Sequence, residues 1–148
     1  MREILFRGKR VDNGEWIYGV PITDKATGDA YIITSTAGAY LRSEINNMCV
    51  TGFRVIPETV EPCTGLTDKN GTRIFKGDII DVVYNPNYGG VAKKRIGTFK
   101  VGFEDGCYMY ADDEGYFLFT ESDEIIVIGN IHDNPELLKG EQKNETTT

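Results

Sequence analysis

Apolar side chains in this chain fall into short runs, many with alternating polar partners, and the runs stop at glycine, asparagine, aspartate or proline. Alternation of this kind marks strands with one buried face, and the stops are residues that bend the backbone. The opening run, residues 2–7, closes at Gly8. Asp12-Asn13-Gly14 then supplies the positive φ that a tight hairpin requires. The next run, residues 15–22, carries Trp16, Ile17, Tyr18 and Val20, so 2–7 and 15–22 are expected to pair. Further strands are expected at 31–34, at 50–60 around Phe53, Val55 and Ile56 with an end near Pro57, and at 79–84, 96–103, 107–111, 116–119 and 124–129. Residues 35–49 read either as a short helix or as an irregular segment. Asn134 to Leu138 reads as one helical turn with Pro135 in its first position.

Strands recurring every 8–12 residues or so with Gly/Asp separators predict a barrel or a sandwich. The expected class is mainly β: a small N-terminal β unit over 1–62 and a barrel over 63–138, with the Pro57–Pro62 region as the boundary. Residues 139–148 lack apolar content and are expected to form a mobile tail.

The chain has 148 residues and a formal net charge of −7, with 40% hydrophobic and 26% charged residues. These values fit a globular chain and argue against disordered, collagenous and membrane classes. No apolar run approaches the roughly 18 residues of a membrane span, and the first residues lack the apolar core of a secretion signal. The charge is unevenly spread: residues 101–138 hold ten acids and no Lys or Arg. Such a region repels nucleic-acid phosphate and suits a basic partner.

Candidate chemistry is sparse. Cys49, Cys63 and Cys107 have no metal-ligand spacing, and three thiols without a secretion signal are expected to be free in a reducing cytoplasm. Asp68-Lys69-Asn70-Gly71 resembles the start of a calcium loop, but position twelve counted from Asp68 is Ile79, where a Glu would be needed. It reads instead as a turn in which Asx side chains bond nearby amides. His132, the only histidine, has no nucleophile signature to serve, and no glycine cluster forms a phosphate loop. Neither a catalytic residue nor a metal or cofactor site is assigned. Aromatic residues crowd the second half. In 108–110 the two tyrosines share a strand face, as do the two phenylalanines of 117–119. One face must fill the core; tyrosines on the other would form a contact platform.

Taken together, the segments resemble the YopX family of phage and prophage proteins. The resemblance rests on Arg2-Glu3-Ile4-Leu5-Phe6-Arg7-Gly8-Lys9, Trp16, Val55 to Val60, Thr64-Gly65-Leu66-Thr67-Asp68-Lys69-Asn70-Gly71, Ile74 to Ile80, and Val127 to Leu138. It spans residues 2 to 138. It departs from the family at Glu61-Pro62-Cys63, where a Gln and an aromatic usually stand, and at His132, often Tyr. The resemblance implies a mainly β protein with an SH3-like barrel in its second half, made in bacterial cytoplasm from phage-derived genes; it implies no activity.

The functional expectation is a non-enzymatic binding module. Its partner would be a host or phage protein, a second copy of itself included, and its contact surface Tyr108, Tyr110, Asp112, Asp113, Glu114 and Tyr116. One alternative is a nucleic-acid accessory using Lys93, Lys94 and Arg95, with affinity falling steeply as salt rises. Another is an unrecognised hydrolase, which would need acids or His132 converging in a pocket.

Overall fold

The computed structural model describes residues 5–34, 40–42, 49–84, 95–120 and 123–138. The chain divides into two compact units, Met1–Cys63 and Thr64–Thr148. Both are built from antiparallel strands.

The first unit contains β1 (Phe6–Lys9), β2 (Trp16–Thr23), β3 (Ala30–Ile33), β4 (Tyr40–Arg42), β5 (Cys49–Val55) and the first half of β6 (Glu61–Thr67), side by side in the order β4-β5-β3-β2-β1-β6. Phe6 pairs with Gly19 and Lys9 with Trp16, so the expected opening hairpin forms, with β1 running through Gly8, where the alternation ends it. Its connection is wider than the tight turn expected from Asn13-Gly14. The Arg10 amide donates to the Glu15 carbonyl at 2.8 Å, and the Asn13 side chain accepts from the Glu15 amide, leaving a loop over 11–14. One face of this sheet buries Ala30, Ile32 and Val55, with Phe6, Ile17 and Val60 packed against them.

On the opposite face, the Arg7 guanidinium meets the Glu61 carboxylate at 3.1 Å and stacks over the Trp16 ring at 4.7 Å. Both charged side chains are buried. Losing either partner would remove a contact from a buried charge, which makes the pair a constraint on β1–β6 pairing more than a source of stability. Arg7 therefore belongs to the interior of this unit.

Two elements escaped the sequence reading here. Residues 40–42 form a strand pairing with 49–51, within the stretch left open as helix or irregular. After β5, Pro57–Thr59 makes a single 3-10 turn. β6 then begins at Glu61, inside a region whose proline and glycine disguised it as turn. Pro62 has no amide to donate, and the ladder passes instead through the Cys63 amide to the Leu5 carbonyl at 2.8 Å.

In the second unit β7 (Arg73–Phe75) lies beside the latter half of β6, with the Thr64 hydroxyl donating to the Ile74 carbonyl at 2.8 Å. A five-stranded sheet follows, formed by β8 (Asp78–Tyr84), β9 (Arg95–Glu104), β10 (Cys107–Asp112), β11 (Gly115–Leu118) and β12 (Asp123–Asn130) in the order β11-β10-β9-β8-β12. Among the described residues no backbone pairing joins β11 to β12, so the sheet is not a closed barrel. Its inner face buries Ile74, Ile80, Val82, Phe99, Val101, Tyr110 and Ile125. At about 1.5–3 kcal/mol for each fully buried large apolar side chain, these residues dominate the stability of the unit.

The turns follow local chemistry. Asp105 and Gly106 have φ of 49° and 80° between the paired Glu104 and Cys107, so the two-residue hairpin with two positive φ values falls here rather than at Asn13-Gly14. Gly129 allows a close approach: a Cβ there would meet the Asn134 side-chain oxygen at 2.5 Å. Asn130 accepts from the His132 and Asp133 amides, and a helical turn follows at 136–138. The tail, 139–148, lies outside the described residues.

Candidate functional site

The expected contact surface is split by the pleat of the sheet. Tyr110 pairs with Phe117, and Ala111 pairs with Tyr116. Directly paired residues share a face and neighbours along a strand alternate, so Tyr116 points away from Tyr108 and Tyr110. Tyr110 is only 1% exposed. It packs edge-on to Phe99 at 5.0 Å and to Phe119 at 5.1 Å, and stacks with Phe117 at 5.6 Å. Its hydroxyl reaches the Asp123 carboxylate at 3.4 Å. Tyr110 is therefore a core residue and leaves the candidate surface, because a ring held on all sides by aromatics has no face for a partner. Tyr108 is half-buried and packs against Phe103 at 4.9 Å, on that same inner side.

Tyr116 is 71% exposed, and Leu118, which the sequence reading did not single out, is 66% exposed. Both lie on the outer face of β11, the outermost strand. The signal for Leu118 was present in the register: once Phe117 and Phe119 face inward, Leu118 must face outward.

Between β10 and β11 the acids have different tasks. The Asp112 carboxylate accepts from the amides of Glu114 at 2.8 Å and Gly115 at 3.1 Å and so shapes the turn. Asp113 and Glu114 form the tip and are exposed. Beyond the other end of β11, Asp123 accepts from the Thr120 amide at 2.9 Å, and Glu124 is exposed. β11 is thus bracketed by carboxylates.

The opposite edge of the sheet is built differently. The Lys69 amide donates to the Ile125 carbonyl at 3.0 Å, and the Asp68 carboxylate accepts from the Val127 amide at 3.1 Å. The same carboxylate accepts from the amides of Asn70 and Thr72 at 2.9 and 2.8 Å. Burial would push the Asp68 pKa up, but these amides outweigh it and hold the carboxyl below its ordinary value. The Asp68-Lys69-Asn70-Gly71 motif is a cover for β12, and its carboxylate is occupied by backbone donors. Ile128, where the β12–β8 register shifts, further interrupts that edge.

The remaining candidates lie elsewhere. Lys93 and Lys94 fall outside the described residues, and Arg95 opens β9. Arg10 bonds the Asp12 carboxylate at 2.9 Å, holding that carboxyl below its usual range, and stacks on Phe53 at 4.2 Å. His132 is half-buried in the 131–133 turn. Cys63 is half-buried and Cys107 exposed, neither in a disulfide. Among the described residues no group of three or more His, Cys, Asp or Glu side chains could hold a metal ion, and no helix is long and apolar enough to cross a membrane.

Comparison with known proteins places the chain beside a protein family and a solved structure. A family model described as YopX protein matches residues 5–139. The fold is similar to that of protein EF1440 from Enterococcus faecalis, known from a crystal structure, with 26% sequence identity and a TM-score of 0.55 over 93% of this chain and 99% of that one. No curated protein matches the chain.

Proposed function

The chain belongs to the YopX protein family, and from that premise we propose that it is a non-enzymatic interaction module, a phage or prophage accessory protein acting in the bacterial cytoplasm. The observation that carries this reading is the outer face of β11, where Tyr116 and Leu118 stand in water at the margin of a sheet that buries Phe99 and Tyr110 on its other face. Large apolar side chains exposed beside an unpaired strand edge are tolerated where a partner covers them. For the finer architecture we propose an open, SH3-like variant of a barrel, since among the described residues β11 and β12 do not pair. Its support is the return of β12 beside β8 after the meander β8-β9-β10-β11, together with the Tyr110–Asp123 contact, which curls β10 towards the start of β12.

The test replaces Tyr116 by a photo-crosslinking amino acid in the full chain, with the same label at exposed Lys25 as control, and irradiates each in bacterial extract. A discrete adduct formed from position 116 and absent from position 25 is the expected result. Identical adducts from both positions, or none from 116, would overturn the assignment of this surface.

A further inference from the structure

We propose that β11 accepts an extended basic segment of a partner chain as an added strand. The proposal rests on the interaction reading above and names the chemistry of its partner. β11 is the terminal strand in the order β11-β10-β9-β8-β12, so every second residue presents its backbone N–H and C=O away from β10. The other end of the sheet has its equivalent groups engaged: Ile125 and Val127 are bonded by the 68–72 turn. Among the described residues β11 has no such cover.

Charge selects the occupant. Asp113 and Glu114 stand exposed before β11, and Glu124 stands exposed beyond it. The basic side chain on the outer face is Lys100, on β9, two strands further in. A second copy of this chain fits poorly, because both ends of β11 are acidic. Antiparallel pairing would bring the exposed Asp113–Glu114 tip of one copy towards Glu124 of the other, and parallel pairing would set the two tips together. Like charges opposed in either register repel. A strand with lysine or arginine at both ends and alternating apolar residues between them satisfies the backbone, the Tyr116–Leu118 face and the acids at once. Addition of a strand to a sheet edge is an established mode of peptide recognition.

The experiment uses the full chain and a labelled ten-residue peptide carrying two lysines at each end and alternating valine and threonine between, read by fluorescence anisotropy. Two control peptides accompany it, one with glutamates replacing the lysines and one with a central valine replaced by proline. Binding of the lysine peptide is expected, weakening steeply from low to high salt. The glutamate peptide should not bind. The proline peptide, which lacks a ladder donor, should bind at least tenfold more weakly. Asp113→Asn with Glu114→Gln should weaken the lysine peptide about tenfold, and these two are chosen because the Asp112 carboxylate shapes the turn. Equal binding of the lysine and proline peptides would overturn strand addition. Binding of the glutamate peptide, or indifference to the double variant, would overturn charge selection, and a dimer of the full chain dispersed by Tyr116→Lys would identify a second copy as the occupant instead. Loss of peptide binding with the Tyr116 adduct retained overturns the partner's chemistry alone, whereas loss of the adduct overturns the interaction reading.

Discussion

Along β12 the rim of the second sheet is closed by the Asp68 turn, which engages the Ile125 carbonyl and the Val127 amide; along β11 the rim carries Tyr116 and Leu118 at 71% and 66% exposure between exposed acids. Both are terminal strands of one sheet, and both contribute side chains to the same core. The difference lies in what the chain supplies beside each. An uncovered strand edge is a site for pairing with other chains, and proteins commonly block such edges with turns, bulges or charge. Among the described residues β12 has a turn and a register shift, whereas β11 has only charge beside it. Charge discourages pairing with another acidic edge and leaves a basic strand free to approach. The contrast teaches that a motif rich in Asp, Asn and Gly can do its work as a backbone cover, without any bound ion.

Removing the cover gives the largest expected effect. Asp68→Ala takes an acceptor from the amides of Asn70, Thr72 and Val127, and at about 1 kcal/mol for each bond the second unit should lose about 2–3 kcal/mol. Denaturant unfolding of the full chain measures it. A loss under about 0.5 kcal/mol would mean that β12 needs no cover.

A smaller effect is expected with pH. The folded Asp68 carboxyl lies below the unfolded value of about 3.9, so the unfolded chain takes up its proton first as acid is added. The stability it contributes is therefore fully present above about pH 4 and is lost as the pH falls through the depressed folded value. In thermal melts from pH 7 to pH 2, the gap between the parent chain and Asp68→Asn should be constant at neutral pH and should shrink below about pH 4. A gap independent of pH would show that the charge of the carboxylate plays no part.

The smallest effect on stability is expected at the open edge. Tyr116→Ser together with Leu118→Ser removes side chains that are mostly in water, so unfolding free energy should change by no more than about 0.5 kcal/mol. A loss above about 1 kcal/mol in the same denaturant titration would show that the two side chains serve the fold, and the contrast between the edges would narrow accordingly.

Much of the architecture followed from the residues in order. Strands at 16–23, 78–84, 95–104, 107–112 and 123–130 lie close to where alternation placed them, because period-two patterning is imposed by the pleat itself. β6 was missed since Pro62 and Gly65 argue for turn by local rules, and only pairing with β1 makes that stretch a strand. Alternation shows that one aromatic face must fill the core, yet it places Tyr110 with the surface candidates, whereas Tyr110 is buried. Sharing a face with Tyr108 says nothing about whether that face is the inner one.

Turn chemistry acts between residues two to four apart in the chain, and the Asp112, Asp68 and Asn130 side chains accordingly bond the amides that their own neighbourhoods present. That much was written in the order of amino acids. The Arg7–Glu61 pair joins residues 54 positions apart, and the Asp68–Val127 bond joins residues 59 apart. Contacts of this kind depend on which strands become neighbours and in what register, and a one-residue slip would turn every side chain to the other face. Folding alone therefore settled that Tyr110 faces the core, that Tyr116 and Leu118 face water, and that one edge of the sheet is covered by a turn while the other stands exposed.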